Sequence, residues 1–280
     1  MTVKALRKQL MAAIAMTVVS AVALSSSTYA WFASNNKVTA TGMQVQATAE
    51  GGIEIAYATS VGSGASYSTS ATAGMDAATT LLPTSTIGTA QNGKITSNWY
   101  HASAAVAGAS AAKSGSYTTL SLDEQGKSGE DNYYLVKSFN IRSVSANEKA
   151  TNLKVSQVTV TGAAQALSKS LRVAVVCGDK TVIYAPYSYT ENVSYKVATA
   201  VDSNGVATMP GTDNVTALFA TNKSNVIANE VATKGTDNNG GTDVNVYIYF
   251  EGEDSNHFSN NIATTLDTIS LTVDFEATIG

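Results

Sequence analysis

Several stretches of the chain alternate apolar and polar residues with period two, the pattern of strands with one face buried. The clearest is Ile269-Ser270-Leu271-Thr272-Val273-Asp274-Phe275-Glu276-Ala277. Its Ile, Leu, Val, Phe and Ala side chains fall on one face and its Ser, Thr, Asp and Glu on the other. Val244 to Glu251 is more continuously apolar, as expected of a central strand. Lys154 to Thr161, Leu171 to Cys177 and Thr181 to Tyr184 predict three more strands, the last two joined by a tight turn at Gly178-Asp179-Lys180. Near the front, Met43 to Ala47 and Ile53 to Tyr57 alternate on either side of a Gly51-Gly52 turn, and Tyr133 to Ile141 predicts another strand.

Helical periodicity is weak, with short helices expected only over Ser255 to Leu266 and Ala163 to Lys169. The expected fold is all-β: two sheets whose apolar faces cover each other as a sandwich. Residues 58–129 stand apart. They are dense in Ser, Ala, Gly and Thr, with thinly spread apolar positions and one aromatic island, Asn98-Trp99-Tyr100-His101. They read as a long, partly ordered insertion on the sandwich.

The first thirty residues follow a different logic. Lys4, Arg7 and Lys8 precede an apolar run from Leu10 to Leu24 that only Thr17 and Ser20 interrupt. Small residues then occupy Thr28 and Ala30, the positions a signal peptidase inspects. The run is shorter than the roughly 20 residues that span a bilayer. The expectation is therefore cleavage between Ala30 and Trp31 rather than an uncleaved anchor, and no membrane association afterwards. Loss of residues 1–30 removes three basic residues and no acidic ones, moving the net charge from −4 to −7. An acidic secreted chain argues against nucleic acid as a partner.

Only 14% of the 280 residues are charged, and the single cysteine, Cys177, excludes an internal disulfide framework. Its apolar neighbours predict a buried core thiol, with a disulfide between molecules as the alternative. Catalytic signatures are missing. His101 and His257 are far apart in sequence, no His-Glu-x-x-His or Gly-x-Ser-x-Gly motif occurs, and no phosphate-cradling loop is present. An enzyme is not expected, and no cofactor. Asp237-x-Asn239-x-Gly241 faintly echoes a calcium loop but lacks the downstream Glu. Together with Glu253 and Asp254 it marks a weak calcium candidate beside the plainer reading of solvated loops.

The C-terminus shows no sorting pentapeptide, apolar tail or basic cluster. The expectation is that the exported chain either diffuses away or is held outside the cell by non-covalent assembly. The segment exposed by cleavage, Trp31 to Thr41, is extended in character and free of proline, with Phe32, Val38 and Ala40 on one strand face and Trp31 at the tip. Such a segment pairs either with its own fold or with another molecule, and the pattern alone leaves both open.

The two ends of the chain carry a resemblance. Thr28-Tyr29-Ala30-Trp31-Phe32, followed by Val38-Thr39-Ala40-Thr41-Gly42-Met43-Gln44-Val45, resembles the N-terminal signature of the TasA/camelysin family, and Phe275-Glu276-Ala277-Thr278 is similar to that family's closing strand. The match covers roughly the first 50 and last 15 residues and leaves 58–129 unmatched. The resemblance implies a jelly-roll-like sandwich, secretion by a Gram-positive cell, and polymerisation into biofilm-matrix fibres by donor-strand exchange between copies. On that reading residues 31–41 are the donor strand and 42–280 the sandwich domain. The alternative is a secreted adhesin or glycan-binding module that does not polymerise, presenting Trp99, Tyr100, His101 and the tyrosines at 184, 187, 189 and 195 as aromatic platforms.

Overall fold

The computed structural model describes residues 16, 38–41, 44–57, 65–74, 79–86, 90–95, 99–102, 117–161, 170–184, 186, 200–201, 206–208, 225–235, 240–251, 266–267 and 270–279, some of them by backbone alone. The alternating segments become strands of two five-stranded sheets. One sheet runs in the order Lys180–Tyr184, Leu171–Cys177, Thr242–Phe250, Tyr134–Ser143, Ile53–Tyr57, with every neighbouring pair antiparallel. The other runs Asn225–Val231, Ala150–Thr161, Ser270–Ile279, Gln44–Glu50, Ser70–Ala73. In it Gln44–Glu50 and Ser270–Ile279 are parallel, and the remaining pairs antiparallel. Along these strands the chain changes sheet at nearly every connection, which builds the β-sandwich.

Period-two patterning puts one face of each sheet inward. Phe139, Ile141, Val173, Val175, Val246 and Phe250 from the first sheet meet Val45, Ala47, Leu153, Leu271, Val273 and Phe275 from the second, all fully buried. Each such Val, Leu, Ile or Phe side chain contributes about 1.5–3 kcal/mol of burial. On the outer face of Ser270–Ile279 the polar residues are half-exposed, and Lys154 pairs with Glu276 at 3.3 Å.

The outer face of the first sheet is not left to water. Tyr134, Ala174, Val176, Ile183, Tyr247 and Tyr249 point away from the inner core, and Ala90, Ile95 and Trp99 pack over them with Leu120 and Leu122. Thr242–Phe250 is thus buried on both faces, which is why its sequence reads as almost uninterruptedly apolar. The covering residues come from 58–129. Ser70–Ala73, also from that stretch, is the edge strand beside Gln44–Glu50.

The aromatic-platform expectation is corrected at two positions. Trp99 is fully buried, and Tyr184 lies inside the main core at 9% exposure. Sparse apolar residues signalled a loop, but an indole, an isoleucine, an alanine and two leucines suffice to cap a sheet whose outward face is already aromatic. Tyr187, Tyr189 and Tyr195 lie outside the described residues, as do the predicted helices apart from the strand residue Leu266.

Candidate assembly site

Val38–Thr41 reads Val-Thr-Ala-Thr, three β-branched residues in four, a composition that favours extended backbone. It forms a strand in a smaller five-stranded sheet, where it pairs with its own chain on both sides. Antiparallel to it runs Thr79–Leu81, with Val38 opposite Leu81, Thr39 opposite Thr80 and Ala40 opposite Thr79. Parallel to it runs Leu266–Asp267, with Ala40 beside Leu266 and Thr41 beside Asp267. Thr79–Leu81 continues the sheet through Asn132, opposite Leu81, and Asp131–Asn132 then pairs with Lys127–Ser128.

In this single-chain structure residues 38–41 pair within their own chain. Of the expected donor residues, Val38 and Ala40 sit in this strand. Trp31 and Phe32, and Ala30 at the expected cleavage point, lie outside the described residues, as do the calcium candidates Asp237, Asn239, Glu253 and Asp254. Among the described residues no group of His, Cys, Asp or Glu is arranged to hold a metal ion.

The seat is small. Five residue pairs flank the strand, against nine between Ala150–Thr161 and Ser270–Ile279 alone. With a backbone hydrogen bond worth about 0.5–1.5 kcal/mol net, the backbone pairing of Val38–Thr41 contributes only a few kcal/mol. Gly42-Met43 alone separates it from Gln44–Glu50.

Sequence reading missed the residues that receive this strand. Thr79–Leu81 lies in the Ser/Ala/Gly/Thr-rich stretch, and Leu266–Asp267 starts at the last residue of the helix expected over Ser255 to Leu266, both too short for a periodic signal. Their one visible cue is local: the Thr79-Thr80-Leu81-Leu82 run ends at Pro83, a strand-terminating residue.

Cys177, the other group with chemistry of its own, is 5% exposed on the inner side of Leu171–Cys177. Burial, reinforced by the Asp243 carboxylate and opposed by the Lys180 ammonium, pushes its thiol up to about 11. A buried, protonated thiol is a poor nucleophile and is out of reach of a neighbouring molecule. In comparisons with protein-family models, curated proteins and solved structures, nothing matches this chain.

Proposed function

We propose that the protein is a secreted structural subunit that assembles with copies of itself into an extracellular filament by exchanging its N-terminal strand. The observation that carries this is the seating of Val38–Thr41: a four-residue strand near the front of the chain, held on both sides by segments distant in sequence. The same pairs form equally well with the strand of a second copy, so exchange alters connectivity without requiring a new interface. Each subunit then gives one strand and receives one, a head-to-tail relation that makes a filament when it does not close into a ring. The export signal and the likeness of both chain ends to the TasA/camelysin family support the same reading. The adhesin alternative loses support, because Trp99 and Tyr184 are buried.

The test uses the pair Thr39 and Thr80, directly opposite each other on antiparallel strands. Opposed residues of such a pair have Cα atoms about 4.5–5.5 Å apart, within disulfide range. A Thr39→Cys, Thr80→Cys chain oxidised as a monomer is locked in its own seat and forms no filaments until reduced. Oxidised after assembly, it yields a covalent ladder of multimers. Filaments that grow with the intramolecular disulfide intact rule the proposal out.

A further inference from the structure

We infer that the layer centred on Trp99 keeps the receiving strand, Thr79–Leu81, in place when Val38–Thr41 leaves it, making Trp99 a positioning residue for strand acceptance; this rests on the strand-exchange reading above. The two walls of the seat are anchored unequally. Among the described strands, Leu266–Asp267 has no sheet neighbour except Val38–Thr41. Thr79–Leu81 has several other holds. Leu81 is fully buried in the inner core and pairs with Asn132, and the Leu82 amide donates to the Asn132 carbonyl at 2.7 Å. The Thr84 amide donates to the Phe250 carbonyl at 2.9 Å. Ser85 and Thr86 then pair with Tyr100 and Trp99.

These holds converge on one ring. The Trp99 indole stacks on Tyr134 at 4.5 Å between centroids and meets Tyr249 edge-on at 5.1 Å, and its Nε1–H donates to the Ile95 carbonyl at 2.8 Å. Tyr134 is two residues from Asn132, and Tyr249 immediately precedes Phe250. The Asn132 and Phe250 holds are thus each within two residues of a ring in contact with Trp99, and Thr86 is paired with Trp99 itself. When the first strand leaves, the antiparallel wall stays standing as a template and the parallel wall does not. An incoming strand docks on Thr79–Leu81 first, and Leu266–Asp267 closes over it second.

Amide exchange of the unmodified secreted chain tests this directly. The amides of Leu82 and Thr84 are expected to exchange at least about tenfold more slowly than those of Val38 to Thr41, because the strand opens without its wall. Exchange of all of them as one cooperative unit overturns the inference. Trp99→Leu gives a second readout, since Trp99 belongs to the outer cluster and not to the inner core. Its donor strand is intact, so at one part in about ten of unmodified chain it seats on growing ends, fails to receive, and shortens filaments several-fold. Trp99→Phe, which keeps a ring against Tyr134, restores length. If Trp99→Leu subunits are incorporated and extended normally, the inference fails while strand exchange stands. If the Thr39→Cys, Thr80→Cys chain polymerises with its intramolecular disulfide closed, the underlying reading fails instead. Should Trp99→Leu not fold, the exchange measurement decides alone.

Discussion

Arg142 and Glu54 face each other across neighbouring strands, with Nε donating to Oε1 at 2.7 Å, and the guanidinium carbon lies 3.4 Å from the centre of the Tyr67 ring. The side chains are 8% and 23% exposed, so the pair is only partly open to water. Tyr67 in turn donates to Asn140 Oδ1 at 2.9 Å, and Asn140 Nδ2 donates to Asp243 Oδ1 at 2.7 Å. One chain of contacts thereby ties the segment before Ser70–Ala73 to the first sheet. Glu54→Gln is expected to cost roughly 2 kcal/mol, since it takes a carboxylate away from a buried guanidinium. Tyr67→Leu should cost about 1 kcal/mol through the lost cation–ring contact. A double-mutant cycle by urea unfolding checks both, and strict additivity would show that the ring and the carboxylate do not share the arginine.

The turn between Gln44–Glu50 and Ile53–Tyr57 admits only glycine. Gly51 and Gly52 have φ of +74° and +85°, a region costly for other residues. A Cβ on Gly51 would also run into the Ala277 carbonyl oxygen, and one on Gly52 into the Ile279 side chain. Gly51→Ala should therefore destabilise the chain by several kcal/mol, combining backbone strain with displacement of the last strand. Gly178→Ala provides the contrast. Its φ is +58°, but nothing lies within 4 Å of an added Cβ. It should cost about 1 kcal/mol. Comparable melting points for the two variants would refute the steric part of the argument.

Much of the sandwich was legible because burial on one side prints a period of two. Ser270–Ile279 alternates buried and half-exposed residues as its sequence predicts, and Thr242–Phe250 is the central strand its apolar run suggested. The reading found Lys154 to Thr161 but not the start of that strand at Ala150. There, Asn152 adopts φ +55° and the register shifts against both neighbours, which breaks the alternation. Asn225–Val231 went unseen as an edge strand with few inward positions. The candidate site was half legible. Val38 and Ala40 stood out as strand residues, but their partners are two- and three-residue strands chosen by tertiary position, and no local pattern records a pairing with residue 266. Trp99 was noticed and misplaced, because a lone aromatic in a small-residue segment looks the same whether it caps a sheet or faces water.

Cys177 should make the fold alkali-sensitive. Its thiol is pushed from 9.0 up to about 11, so between these values the folded state keeps a proton that the unfolded chain has released. This contribution is complete below pH 9 and declines as pH rises through 11, amounting to roughly 3 kcal/mol across the window. Tyr67, Tyr133 and Tyr247 are also raised, chiefly by burial, and act in the same direction at higher pH. Cys177→Ala is expected to lower the melting point slightly at pH 8 through lost packing, yet to flatten its fall between pH 9 and 11. Alkylation gives a second check: the native thiol should resist iodoacetamide at pH 8 and react on unfolding. An unchanged alkaline slope in the alanine variant would assign the sensitivity to the tyrosines.

Asn245 links the covering layer to the sheet at the end away from Trp99. Its Nδ2 donates to the Gly93 carbonyl at 2.7 Å, and its Oδ1 accepts from the Ser138 hydroxyl. Gly93, at φ +80° beside Asn92 at +52°, closes a two-residue turn whose flanks Gln91 and Lys94 bridge. The Gly93 amide donates to Gly178 at 2.8 Å, and the Asn92 amide to Asp179 Oδ1 at 3.1 Å, so the turn is also fastened to the hairpin of the first sheet. Of these ties only the Asn245 amide is both a side chain and buried. Asn245→Ala strands the Gly93 carbonyl under the turn and should cost about 1–3 kcal/mol. Asp179→Ala removes an exposed acceptor and should cost well under 1 kcal/mol. The loss should also be local. Amides of the turn at Gly93, Lys94 and Ile95 should exchange faster in Asn245→Ala, while those of Val173, Val175 and Val246, on strands facing the inner core, keep their protection. If the inner strands loosen equally, the covering layer and the sandwich form one cooperative unit, and a Trp99 variant could not be expected to leave the inner core intact.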